Sequence, residues 1–128
     1  ATLDKLKIAA ELWSLWKNSY ELPENKKDKR QLQIAIIAGK HVTNAALNSV
    51  IEMNGAESHS SAAGKYNMWA DGVTVAAWSV SDAFENEAVS KTSEVIADVA
   101  FATGVALGVT AAAGYTKQAY DAVLSNHQ

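Results

Sequence analysis

The chain has 128 residues, of which 48% are hydrophobic and 20% charged, with one proline and no cysteine. The apolar content is too high for a disordered segment, and without cysteine there is no disulfide scaffold, thiol catalysis or zinc finger. Length and composition fit a single domain over 1–128. Residues 1–40 carry eight basic and five acidic side chains, and residues 41–128 carry three and nine. One end or one face of the molecule is therefore expected to be acidic.

The first apolar periodicity predicts a helix that is capped by Thr2 and ends at Leu22-Pro23, because proline and the residue before it leave the helical region. Apolar residues recur every three or four positions in two adjacent rows, which predicts that the helix has two neighbours. The main row is Leu6, Ala9, Trp13, Trp16 and Tyr20, and the second row is Ile8, Leu12 and Leu15.

A second helix is predicted from an N-cap at Asn25 to a left-handed stop at Asn54-Gly55. Its polar row, with His41 beside it, is interpreted as the wet face of an amphipathic helix. The apolar row is Leu32, Ile36, Gly39, Val42, Ala46, Val50 and Met53, and the polar row is Lys40, Asn44 and Asn48.

A third helix is predicted from a serine cap in the loop 56–61 to about Asn86. By propensity alone Val73–Val80 could be a strand, but its alanines and helical spacing favour a helix. The apolar row is Ala62, Tyr66, Trp69, Val73, Ala76, Val80 and Ala83 or Phe84. Met68, Val75 and Trp78 lie off that row, so they form either an interface or a contact with a second helix of the same chain.

A fourth helix is predicted from a cap at Ser90 or Thr92 to Leu124, with a kink or break possible at its glycines. Between Asp98 and Lys117 there is no charged side chain, so this helix needs cover on all sides. A central position, a partner chain or lipid would supply it. The apolar row is Val95, Val99, Ala102, Ala106, Val109, Ala113, Thr116, Tyr120 and Val123.

One strip of the fourth helix is built of small residues and includes Gly104-xxx-Gly108, a spacing that allows close helix approach. We expect both glycines at a close helix contact, either against tryptophans of the same chain or between chains. The strip is Ala97, Phe101, Gly104, Gly108, Ala112, Tyr115 and Ala119. The interface candidates are Met68, Val75, Trp78, Phe101, Gly104, Gly108 and Tyr115.

Little in the sequence indicates catalysis or cofactor binding. No Glu-x-x-His pair occurs on two helices, as a carboxylate metal site in a bundle requires. Of the three histidines, His41 is the candidate for a polar site, although the wet face of an amphipathic helix is the simpler interpretation. Asp71 is expected to be exposed, or paired with Lys65 or Lys40 if it is covered. No metal or cofactor is expected, and an enzyme is not favoured.

The basic run Lys26, Lys27, Lys29 and Arg30 has no interleaved aromatic residue, so it is interpreted as a solvated turn and helix start and not as a nucleic-acid site. The N-terminus lacks the pattern of a secretory signal, although a signal could have been removed, and a cytoplasmic location is expected.

The sequence thus predicts an all-α, four-helix-bundle-like domain with an Ala/Gly-rich central C-terminal helix. The leading functional hypothesis is a non-enzymatic protein that forms homo-oligomers and acts by contacts with another protein, as inhibitors, immunity-type proteins and viral accessory or structural proteins do. One alternative is a membrane-active protein that inserts its fourth helix. Another is a small-molecule binder or enzyme with an aromatic pocket between helices.

Overall fold

The computed structural model describes residues 2–127, with side chains from Asp4 onward, and consists of four α-helices. These are α1 (Thr2–Ser19), α2 (Glu24–Met53), α3 (Ala62–Ala83) and α4 (Glu87–Asn126). No strand occurs within the described residues, and Val73–Val80 is helical. The predicted all-α, four-helix-bundle-like fold is confirmed.

Local signals place two of the helix boundaries as predicted. Ser61 caps α3, because its hydroxyl oxygen accepts a hydrogen bond from the Gly64 amide at 3.2 Å. Gly55 follows α2 with a φ of 81°, the left-handed conformation expected of the stop at Asn54-Gly55. The predicted cap at Thr2 falls on a side chain outside the described set.

Two predicted caps are wrong. Asn86 caps α4 by accepting a bond from the Val89 amide at 3.1 Å, so α4 begins before the predicted Ser90 or Thr92, and α3 ends at Ala83. Pro23 occupies the N-cap position of α2, and Asn25 lies inside the helix. A proline can begin a helix because the first turn leaves its amide groups unpaired in any case.

α4 has 40 residues and runs without a break through its glycines, so it is about 60 Å long. It packs on α3 and α2, while α1 packs on α2 and α3. Among the described residues, much of the remaining α4 surface is open, and 22% of its most apolar 18-residue stretch is buried. One chain therefore does not supply the all-round cover expected for this helix.

The orientation of the helices contradicts much of the predicted core. In α1 the second apolar row is buried, as Ile8, Leu12 and Leu15 join the main hydrophobic cluster. Most large residues of the main predicted rows face outward instead. The exposed members are Leu6, Trp13, Tyr20, Leu32, Ile36, Val42, Val50, Met53, Tyr66, Trp69, Phe84, Val95, Val99, Val109 and Tyr120.

Candidate functional site

The interior between α2, α3 and α4 contains a buried ionic cluster centred on Arg30. The guanidinium is completely buried and holds Asp82 with two bonds, Nε to Oδ2 at 3.0 Å and Nη2 to Oδ1 at 2.9 Å. Nη2 also donates to Glu94, and Nη1 donates to Gln33 at 2.7 Å. The prediction that this basic run is a solvated turn is wrong at Arg30, because carboxylates from two other helices satisfy its charge.

Two lysines of the same run extend the cluster toward the surface. Lys29 Nζ lies 2.9 Å from Glu94 Oε2 and 3.3 Å from Asp98, and Lys26 Nζ lies 3.6 Å from Asp82. The Ser81 hydroxyl donates to Glu94 at 2.9 Å. These cations are thus paired with carboxylates of the same chain.

The cluster shifts the protonation equilibria of its members. Burial alone would raise the pKa of Glu94, but hydrogen bonds from Arg30 and Lys29 outweigh it and lower that pKa to about 2. Burial alone would lower the pKa of Arg30, and its bonds to Asp82 and Glu94 raise it overall. Both shifts favour the charged forms, so Glu94 and Arg30 stay ionised around neutral pH.

A second buried cluster lies further along the bundle. Lys40 Nζ is 2.7 Å from Asp71 Oδ1 and also donates to the Gly104 carbonyl oxygen at 3.3 Å. His41 Nε2 is 2.7 Å from the other carboxylate oxygen of Asp71. Asp71 is completely buried, which contradicts the expected exposure, and Lys40 is its partner among the two candidates. Asn44 of the supposed wet row is buried as well.

The two central glycines of α4 make room for this cluster. A Cβ atom on Gly104 would lie 2.8 Å from Asp71 Oδ1, and one on Gly108 would overlap the aliphatic stem of Lys40. The expected close contact is therefore inside the chain. It is made with polar side chains of α2 and α3, and not with the tryptophans that the sequence suggested.

Some of the remaining interface candidates are buried in the core of the chain, and the others are half-buried. Val75 and Trp78 are buried within the chain, where the Trp78 ring packs on Phe101 at 5.8 Å between centroids. Of the two alternatives for these residues, the structure shows the contact with a second helix of the same chain. Met68 is half-buried against the same cluster. Half-buried Tyr115 has its hydroxyl 3.4 Å from Ser60 Oγ, near the start of α3.

The outer surface has the opposite character, because it is apolar along much of its length. Within 31–51 of α2 the acidic and basic residues are Lys40 and His41, which bond inward to Asp71, and 99–116 of α4 contains no Asp, Glu, Lys, Arg or His. Thr103 and Thr110 also turn their hydroxyls to their own helix, donating to the carbonyls of Val99 and Ala106 at 2.8 and 2.9 Å. Their hydroxyl donors are thereby satisfied without water.

Two depressions concentrate this apolar surface. The α3–α4 groove, of about 590 Å³, has no charged residue in its lining: Tyr66, Trp69, Ala70, Val73, Val95, Ile96, Val99, Ala100, Thr103 and Leu107. The α1–α2 cleft, of about 470 Å³, is lined by aliphatic residues and two tryptophans, with Lys5 and His41 as its ionisable residues.

The sequence contained a signal for the polar interior that its interpretation missed. Polar residues recur at helical spacing on α2 as Lys26, Arg30, Gln33, Lys40 and Asn44, and on α3 as Asn67, Asp71, Thr74 and Ser81. Each row was compatible with a wet face. The row on α2 is mainly basic and the row on α3 contains Asp71, and such matching rows would have indicated that the two helices face each other across the bundle.

No protein-family model, curated protein or solved structure matches the chain. By length and composition α4 could cross a membrane, a test that core helices of soluble proteins also pass. Within 4–127, no group of three or more His, Asp or Glu side chains is placed to hold a metal ion.

Proposed function

We propose that this protein is a non-enzymatic subunit that associates with copies of itself, and that the α3–α4 groove is part of the contact. The observation that carries the proposal is the distribution of charge. Ion pairs occupy the interior of the chain, while large apolar side chains such as Trp69, which is 72% exposed, lie outside. Apolar surface of this extent is typical of a protein interface.

The groove fits a helix of a second copy. Its lining combines an aromatic ridge on α3, formed by Tyr66 and Trp69, with small residues on α4 such as Ala100 and Thr103. Large side chains opposite small ones allow interdigitated packing between helices. The outer face of another α4, rich in Ala, Val and Thr, has a matching composition.

Light scattering coupled to size-exclusion chromatography tests the proposal at micromolar concentration. We expect a mass of at least twice 13.6 kDa for the native chain. Val99→Glu places a charge in the groove and is expected to reduce the mass to that of a monomer, because a buried unpaired carboxylate is strongly unfavourable. Val89→Glu is the matched control, since Val89 is exposed on the same helix outside the groove.

The control variant is expected to keep the native mass, and circular dichroism establishes that both variants remain helical. A native chain that is monomeric across the micromolar range would overturn the proposal. If both variants dissociate equally, the groove is not part of the contact between copies.

Insertion into a membrane is the second candidate function, and the apolar α4 is the observation that favours it. Against it, Asp4, Lys7, Glu11 and Lys65 line a depression between α1 and α3, beside Trp69. A bilayer around the bundle would have to cover these charges, which is costly. Co-flotation of the purified protein with phosphatidylcholine vesicles would support insertion, and its absence alongside a stable oligomer supports self-association.

A further inference from the structure

The α1–α2 cleft has the volume and lining of a small-ligand site. Its volume of about 470 Å³ lies within the roughly 300–1,000 Å³ of such sites. Buried Ile8, Leu12 and Ile34 form its floor, and exposed Trp13 stands at its rim. An apolar ligand in this cleft would be held by aliphatic and aromatic contacts on several sides.

The charge of the cleft is also one-sided. Its ionisable lining residues, Lys5 and His41, are both bases, and no carboxylate is among the described residues that line it. His41 Nε2 is fixed by Asp71 Oδ2 at 2.7 Å, which leaves Nδ1 as the ring nitrogen available to a ligand. Asp71 is completely buried and bonded to Lys40, so it orients the imidazole from behind.

The two bases lie at the same end of the cleft. α1 and α2 are joined by a short turn and run antiparallel, and Gln31 Nε2 donates to Ser19 Oγ at 2.9 Å beside that turn. Lys5, near the start of α1, therefore lies about one helical turn beyond His41, at the same end of the cleft. Trp16 lies toward the other end, about 16 Å along the helix from Lys5. The cleft has one basic end and one apolar end.

We propose that the α1–α2 cleft binds a single-chain fatty acid, with the carboxylate at Lys5 and His41 and the hydrocarbon chain extending toward Trp16. In the bound state the imidazolium of His41 lies between the ligand carboxylate and Asp71, and its two N–H groups donate one hydrogen bond to each. The carboxylate also pairs with the Lys5 ammonium, so charge complementarity selects an acid over a neutral amphiphile.

Calorimetric titration with dodecanoate and with its methyl ester, both below the micellar range, tests the proposal. We expect one dodecanoate per chain and weaker binding of the ester. Lys5→Gln is expected to weaken dodecanoate binding by about fivefold, the scale of an exposed ion pair, and to leave ester binding unchanged. Equal affinity for acid and ester would overturn the assignment of the headgroup.

Cleft-filling variants test the location. Ala38→Phe places a ring in the cleft and is expected to weaken binding at least tenfold, whereas Ala88→Phe makes the same change at an exposed helical position outside it. Val42→Trp at the exposed rim is a second filling variant, should Ala38→Phe lose helicity by circular dichroism. Unchanged affinity in a folded filling variant would overturn the proposal.

The direction of the chain is tested with ω-bromododecanoate, whose bromine quenches nearby tryptophan fluorescence. Quenching is expected to fall strongly in Trp16→Phe and to persist in Trp69→Phe, since Trp69 does not line the cleft. Equal quenching in both variants would contradict the orientation.

The number of dodecanoate molecules bound per chain is measured for the monomer and for the oligomer. A second copy that occupies the cleft would abolish dodecanoate binding in the oligomer, which would also overturn the proposal.

Discussion

Lys40 Nζ lies 2.7 Å from Asp71 Oδ1 in the interior of the bundle, and the two side chains are 9% and 1% exposed. The lysine reaches this carboxylate by passing over α4 where Gly108 has no side chain. The ion pair and the glycine therefore depend on each other: the pair keeps the buried charges compensated, and the glycine leaves the space for the lysine stem.

Gly108→Ala is expected to destabilise the fold. The new Cβ would overlap the Lys40 stem, which must move and lengthen its contact with Asp71. Overpacking of this kind costs about 1–3 kcal/mol. Gly114→Ala is the matched control on the same helix, where a Cβ meets nothing within 4 Å, and it should gain up to about 1 kcal/mol from helix propensity. The urea unfolding midpoints of the two variants measure these changes in stability. An equal increase in both midpoints would contradict the close contact at Gly108.

Asp71→Asn should be strongly destabilising, by about 3–5 kcal/mol, because it leaves the Lys40 ammonium buried without a carboxylate. Adding Lys40→Met to this variant should then cost little, since the uncompensated charge is removed with it. A double-mutant cycle in urea reports the coupling between the two residues. Additive costs would show that the pair contributes no interaction energy.

Trp78→Ala is expected to cost about 3–5 kcal/mol as a truncation of the core. The indole is completely buried, packs on Phe101 and has the Arg30 guanidinium carbon 4.9 Å from its ring centroid. Phe84→Ala serves as the control at an exposed aromatic residue, where a change within about 0.5 kcal/mol is expected. Comparable losses of unfolding free energy in the two variants would be inconsistent with the observed packing.

Glu94 makes stability depend on pH in the acid range. Its pKa is lowered from 4.5 to about 2, so its contribution is fully present above pH 4.5 and is lost as the pH falls toward 2. The native chain should therefore be more stable than Glu94→Gln above pH 4.5, and this difference should shrink as the pH falls toward 2. Urea midpoints of both proteins from pH 6 to pH 2 measure the difference, and a constant gap would rule out the depressed pKa.

The sequence by itself determined where helices occur. Pro23, Asn54-Gly55 and Ser61 act within a few residues of the backbone that they terminate or cap, so their effects follow from local composition, although α1 already ends at Ser19, before the predicted Leu22-Pro23. The small residues at Gly104 and Gly108 likewise indicated a close contact before its partner was known.

Only the tertiary structure decided which helix faces point inward. A helix with an apolar row and a polar row can bury either row. Burial of the polar row is stable only when other helices neutralise its charges. Arg30 meets Asp82 and Glu94 from 52 and 64 residues away in the chain, and Lys40 meets Asp71 from 31 residues away. Such pairings depend on how the helices assemble, and the periodicity of a single helix does not identify the residues that it will meet. Most large residues of the main apolar rows are consequently exposed, where they form the surfaces available for binding.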